Sequence, residues 1–246
     1  MKKLVALIMC VAMLLCMGTA MAEDYAIATD TAFRPFEYTD ENGELVGIDM
    51  EILAAIAEDQ GFTYTIEPLG WDASIAACQA GQKDGMIAGA SITDARKESG
   101  WIFSDGYYNA TQCMTVLANS KIASFADLAG KPVAVKTGTQ GASYAESLKD
   151  ANGFNITYFE DSPTMYQAVI GGQCVACFED TPIMAATIKE SGLPLKIVDG
   201  SENDGAPYGF AIFNADNQNL IDMFNAGLAN IKANGKYDEI LAKYLN

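Results

Sequence analysis

Histidine is absent from all 246 residues. Its absence excludes Ser-His-Asp and Cys-His nucleophilic catalysis and every His-ligated metal centre, and removes the side chain that most often shuttles protons near neutral pH. Basic residues are few: 15 Lys and Arg stand against 32 Asp and Glu, a formal charge of -17. So acidic a chain argues against nucleic acid and anionic membrane as partners and favours solubility. Cysteine is sparse too; after Cys10 and Cys16 only Cys78, Cys113, Cys174 and Cys177 remain. The Cys174-x-x-Cys177 spacing invites a redox reading. Val175 and Phe178 around it read as a buried strand, not as the turn that opens a helix in a redox motif, so buried apolar thiols are the expectation. Two thiols cannot make a four-thiolate zinc site, and Cys78 and Cys113 fall in different elements. No metal and no cofactor is expected. A disulfide is permitted by an exported compartment but not indicated by the spacing.

Long apolar runs are missing beyond Met17, so nothing after it approaches the roughly 20 continuous apolar residues of a membrane span. What precedes is organised differently. Lys2-Lys3, the apolar stretch Leu4 to Met17 and the small-x-small site Ala20-Met21-Ala22 read as a secretory signal peptide over residues 1–22, cleaved before Glu23. Cys10 and Cys16 follow Met9 and Leu15, not the small residue of a lipoprotein-type processing site, so no lipid anchor is expected. The mature protein is expected outside the cytoplasm, periplasmic or otherwise exported, as a monomer.

Strand-like and helix-like segments then alternate, which predicts an α/β protein with largely parallel sheets and ligands at the carboxyl ends of strands. Tyr25–Thr29 is strand-like, Ile48–Glu58 helical, Phe62–Ile66 strand-like, Ala73–Gln79 helical and Met86–Ala88 a buried strand. Tyr107–Ala118 is a longer extended run, after which the rhythm restarts. Strands are predicted at Pro132–Lys136, Ile156–Phe159, Val175–Phe178 and Leu195–Val198, helices at Ser124–Leu128, Ala142–Leu148, Thr164–Ile170 and Pro182–Lys189. Tyr208–Phe213 resumes as a strand, and helices Asn217–Ala233 and Lys236–Tyr244 finish the chain around an Asn234-Gly235 stop. A chain that leaves a first unit near residue 110 and returns near 208 predicts two lobes joined by two crossing hinge strands, 23–110 with 208–246 as lobe 1 and 111–207 as lobe 2. Such a clam binds ligands between its lobes.

Arg96 is the most informative residue. With Thr93 as N-cap it falls at the third helical position, where a capping box would place Glu or Gln and where the helix dipole disfavours a cation. Beside free backbone N–H groups and the Ser91 hydroxyl, its guanidinium forms a receptor for a carboxylate or phosphate. The plainer alternative is a surface ion pair with Asp94 or Glu98. Asp30, Phe33, Trp71, Ala88 to Arg96, Lys136 to Gly141 and Glu179-Asp180 all fall at strand ends.

Several motifs carry a wider resemblance: Ile27 to Tyr38, Gly47-Ile48-Asp49-Met50-Glu51-Ile52, Ala88-Gly89 with Thr93-Asp94-Ala95-Arg96-Lys97, Phe103 to Tyr108, and Asp180-Thr181-Pro182. In this order they resemble the periplasmic amino-acid-binding proteins of ABC importers, solute-binding protein family 3, over essentially the whole mature chain. The nearest branch is the glutamine-binding one, through Thr29 to Phe33 and Val133 to Lys136. The resemblance implies the type II periplasmic-binding-protein fold, capture of a polar L-amino acid by hinge closure, and delivery to a membrane permease. It implies that Arg96, with Ser91 and the backbone of Ala88 and Gly89, holds the ligand carboxylate while Asp180 accepts from its ammonium. Phe33 and Trp71 would sandwich the side chain, Asp30 and Lys136 would read a terminal carboxamide, and Thr139 would present the second lobe's loop. Phe33 and Trp71 have core packing as their alternative, and Lys136 a solvated end-of-strand charge.

Glu179 stands where that branch has His. It either faces solvent, pairs with Lys136, or answers a ligand with an extra cation. Glutamine is the first expectation and lysine or arginine the second. An enzyme on the same fold, akin to cyclohexadienyl dehydratase, would need Glu179 as its acid or base.

Overall fold

The computed structural model describes residues 23–245, so the signal-peptide expectation lies outside the described residues. Two five-stranded sheets dominate. The first runs Thr63–Pro68, Asp24–Thr29, Gly85–Met86, Ala211–Ile212, Ile102–Phe103, and the second Asn155–Phe159, Pro132–Lys136, Ala176–Asp180, Gln112–Leu117, Leu195–Ile197. In each, the first three strands are parallel and the fourth is antiparallel to both neighbours. Four strands of five therefore share one direction. The expectation of largely parallel sheets holds in that sense, with the reversed strand marking where the chain changes sheets.

Each sheet has its own core. Ile27, Ile52, Leu53, Ile56, Phe210 and Phe224 pack where helix Ile48–Gln60 meets Gln218–Ala233 against the first sheet. Val133, Val135 and Phe154 pack around Phe178 in the second, with Phe125 and Phe154 stacked on the Phe178 ring at 6.1 Å each. Burying these faces is the main favourable contribution to each half.

Between the sheets, Tyr108–Ala110 and Ala206–Tyr208 pair antiparallel, Tyr108 opposite Tyr208. The extended run expected at Tyr107–Ala118 therefore divides at Thr111, and the strand expected at Tyr208–Phe213 divides at Gly209 and Phe210. The physical reason is a change of hydrogen-bond partner: Gly209 N–H turns to the Ala90 carbonyl at 2.9 Å and Phe210 N–H to Ser104 Oγ at 2.9 Å. Of the helices that begin earlier than their periodicity suggests, two do so at a side-chain cap. Thr139 caps Gln140–Asn152 by accepting from Ala142 N–H at 3.2 Å, and Asp161 caps Ser162–Ile170 by accepting from Thr164 N–H at 2.7 Å. Capping oxygens, not apolar spacing, set those starts.

Candidate functional site

Asp30 follows the strand Asp24–Thr29, Ala88 to Ser91 follow Gly85–Met86, and Lys136 and Asp180 are the last residues of their strands. The carboxyl ends of both sheets thus face one cavity, lined by Asp30, Phe33, Trp71, Ala88, Gly89, Ser91, Arg96, Lys136, Thr139, Gln140, Glu179 and Asp180. All eleven residues singled out from the sequence are brought together there, with Gln140 in addition. The enclosed space is about 20 Å³, room for little more than one water.

Thr93 caps the short helix Asp94–Glu98 by accepting from Arg96 N–H. Arg96 itself is buried, so the surface-pair alternative is overturned; Asp94 pairs with Lys97 at 3.6 Å instead. Its guanidinium carbon lies 5.0 Å from the ring centroids of Trp71 and Trp101. Two aromatic faces replace part of the hydration that burial removes. One guanidinium nitrogen donates to the Ser91 carbonyl at 2.9 Å and another to the Gly138 carbonyl at 3.2 Å. Ser91 thus meets Arg96 through its backbone, not through the hydroxyl. Burial lowers the Arg96 pKa to about 10, with Asp180 and Tyr208 opposing, so it remains a cation at neutral pH.

The Lys136 ammonium pairs with the Asp30 carboxylate across the two sheets, and both groups are buried. A solvated end-of-strand Lys136 is therefore excluded. The second Asp30 oxygen accepts from Thr31 N–H at 2.7 Å, and the Phe33 ring centroid lies 5.7 Å from the ammonium. Phe33 also explains Gly89: its φ of 55° is left-handed, and a Cβ there would sit 2.5 Å from Phe33 Cε1. Trp71 is packed in the core and also lines the cavity, and its indole N–H donates to the Gly138 carbonyl at 3.2 Å. Thr139 Oγ1 is committed to its own loop, donating to the Lys136 carbonyl at 2.8 Å.

Asp180 is held by groups that sequence reasoning missed. Gln112 Nε2 donates to one oxygen at 2.6 Å and the Tyr208 hydroxyl to the other. Asn203 Nδ2 donates to Gln112 Oε1 at 2.8 Å, which turns the Gln112 amide nitrogen toward Asp180. The strand register, with Gln112 opposite Asp180, is the signal that would have found Gln112; it needs the sheet order first. Burial, and then the neighbouring Glu179, push the Asp180 pKa up to about 7, while Tyr208, Gln112 and Arg96 pull it down.

Glu179 neither faces solvent nor pairs with Lys136. It is 1% exposed, and its oxygens accept from Ser162 Oγ at 2.6 Å, Tyr166 OH at 3.1 Å and Asp180 N–H at 2.9 Å. The four cysteines among the described residues are free and buried, and burial raises the thiols of Cys174 and Cys177, which suppresses the thiolate that redox chemistry requires.

Two cations, Arg96 and Lys136, and three carboxylates, Asp30, Glu179 and Asp180, thus line one cavity between the two sheets, a donor and acceptor set that complements a small zwitterion. Residues 25–246 match the model of the bacterial extracellular solute-binding proteins, family 3, and the chain belongs to that family. A probable histidine-binding protein of Neisseria gonorrhoeae is 30% identical over 224 residues, 89% of this chain and 82% of its own. The arginine-binding periplasmic protein of Mannheimia haemolytica is 30% identical over 94% of both chains. Among solved structures, an ancestral arginine-binding protein bound to glutamine is 33% identical, with a TM-score of 0.83 over 91% of this chain and 98% of that one. The chain is an α/β amino-acid-binding protein of the periplasmic type.

Proposed function

We propose that this protein captures glutamine between its two lobes outside the cytoplasm and hands it to the permease of an ABC importer. Arg96 takes the α-carboxylate, which displaces the Gly138 carbonyl from the guanidinium fork, and Asp180 takes the α-ammonium. Phe33 and Trp71 flank the aliphatic stem. The observation that carries glutamine is the buried Lys136–Asp30 pair. A neutral carboxamide offers Lys136 an oxygen and Asp30 an N–H, whereas a cationic side chain would meet the Lys136 ammonium at close range.

Lobe 1 comprises 23–110 with 208–246 and lobe 2 comprises 111–207, hinged on the ribbon Tyr108–Ala110 and Ala206–Tyr208. About 20 Å³ admits no amino acid, so entry requires opening at that ribbon and binding favours closure.

A basic amino acid is the second reading, favoured by the charge count. Arg96 and Lys136 face Asp30, Glu179 and Asp180, which leaves one formal negative charge in the cavity. Lysine or arginine would neutralise it. A dehydratase activity is disfavoured because Glu179 is already saturated by three donors. Calorimetry with the common amino acids tests the two binding readings: glutamine is expected to bind most tightly, tighter binding of arginine or lysine establishes the second reading, and binding of no amino acid overturns both.

A further inference from the structure

Behind the Ala88 to Ser91 segment lie two carboxyl groups that amino-acid capture does not use. Glu37 and Asp49 are both completely buried. They come from different elements: Glu37 opens the strand Glu37–Thr39, and Asp49 lies in the first turn of helix Ile48–Gln60. Gly47 brings the two together. At φ 137° it runs so close to Phe36 that a Cβ would sit 2.0 Å from the Phe36 carbonyl oxygen. The Asp49 N–H then donates to that carbonyl at 3.0 Å.

Asp49 Oδ2 accepts from Gly89 N–H at 3.0 Å and from the Tyr107 hydroxyl at 2.9 Å. Among the described residues no donor reaches Asp49 Oδ1 or either Glu37 oxygen, although the two carboxyls lie within hydrogen-bond reach of each other. Two ionised carboxylates so placed, away from water, would repel strongly. A single proton between them converts that repulsion into a charge-assisted O–H···O hydrogen bond.

We propose that Glu37 is held protonated and donates to Asp49 Oδ1, keeping Asp49 a carboxylate whose other oxygen positions Gly89 N–H at the cavity wall and the Tyr107 hydroxyl at the start of the hinge. The charge belongs on Asp49 because both protein donors converge there and none reaches Glu37. Glu37 is therefore a positioning residue acting through Asp49. Gly89 and Phe33 both line the cavity, and Phe33 is the strand partner of Glu37, so displacement of the pair reaches the ligand's surroundings.

The groups facing the pair agree with this assignment. Burial, then Asp49 and Asp30, raise Glu37 well above the usual carboxyl range, with Lys136 opposing from the other sheet. Burial raises Asp49 to about 7, with Gly89 N–H and Tyr107 opposing. Burial and both carboxylates raise the Tyr107 phenol, which keeps it a donor. The directions agree with the proton on Glu37 and the charge on Asp49: the Asp49 charge raises Glu37, while the Gly89 N–H and Tyr107 donors lower Asp49.

The test uses the ligand-free protein at about pH 8, one unit above the pKa of Asp49 and Asp180, where both are mostly ionised. Infrared difference spectra between wild type and Glu37→Gln are expected to show a protonated-carboxyl C=O band that the substitution removes. Glutamine binding supplies a second readout, which rests on the proposed function, whereas the infrared band needs no ligand and stands or falls alone. Glu37→Gln, whose amide donates to the same oxygen, is expected to keep the glutamine Kd within about 2-fold, while Glu37→Ala weakens it at least about 10-fold. Absence of a Glu37-dependent acid band, or a loss of binding in Glu37→Gln as large as in Glu37→Ala, would overturn the proposal.

Discussion

Lys136, at the end of one sheet, closes on Asp30, at the end of the other. The pair is a contact between the two sheets, lines the cavity, and in the proposed function reads the ligand's carboxamide. Removing one partner strands the other charge in a buried site, which is costly and changes what the site attracts. Lys136→Met should therefore weaken glutamine by roughly 10-fold or more and move preference toward arginine and lysine, which can supply Asp30 with a cation. Competition calorimetry with glutamine and arginine on both proteins checks this. An unchanged ratio of the two affinities would remove Lys136 and Asp30 from the specificity assignment.

In the proposed function Arg96 acts on ligand class, not on identity. Its guanidinium lies 5.0 Å from the Trp71 and Trp101 rings, and a ligand carboxylate would take the place of the Gly138 carbonyl on one of its nitrogens. Arg96→Lys keeps a charge but loses the planar pair of donors and the stacking. It should lower the affinity for every amino acid by about 100-fold, on the order of 3 kcal/mol, with the order of preference retained. Tight binding by this variant would mean that the carboxylate sits elsewhere.

The Asp180 carboxyl has to be ionised to accept a ligand ammonium, and its pKa is raised to about 7 chiefly by burial. Affinity should accordingly rise between about pH 5.5 and 8, with proton release on binding in the lower part of that range. Tyr208→Phe removes one of the hydrogen bonds that lower the Asp180 pKa and should move the midpoint of the profile upward. Affinity independent of pH across this interval would detach Asp180 from the ammonium.

Legibility of the sequence follows the range of each interaction. Arg96 stood out because a cation at the third position of a helix contradicts a local rule, and the Thr93 cap that defines the position is itself local. Most strands and helices are legible for the same reason, through spacing and caps. Gln112 and Tyr208 were invisible because they reach Asp180 at separations of 68 and 28 positions, and Asn203 because it acts through Gln112, 91 positions away. Glu179 was the most misleading residue. Counted as a charge it lacked a partner, yet its partners are the neutral hydroxyls of Ser162 and Tyr166, which charge counting does not register.

Stability of the ligand-free protein should fall as pH rises from mildly acidic to mildly alkaline. Asp49 and Asp180 have folded-state pKa values raised from 3.8 to about 7, and Glu37 is raised as well. Between about pH 4 and 7 the folded state therefore holds protons that the unfolded chain has released. Under linkage that contribution is complete below the unfolded values and is lost as pH climbs through the folded ones. Asp59 and Asp127 are shifted the other way, below 3.8, so their contribution is constant between about pH 5 and 8 and is lost only as pH falls further. The thermal midpoint is expected to be higher at about pH 5 than at about pH 8, by on the order of 10 °C or more. Saturating glutamine should narrow the difference, because binding draws on the ionised form of Asp180 and its stabilisation grows as that form becomes populated. A ligand-free midpoint that rises toward alkaline pH would show that these three carboxyls are ionised in the folded protein well below neutrality.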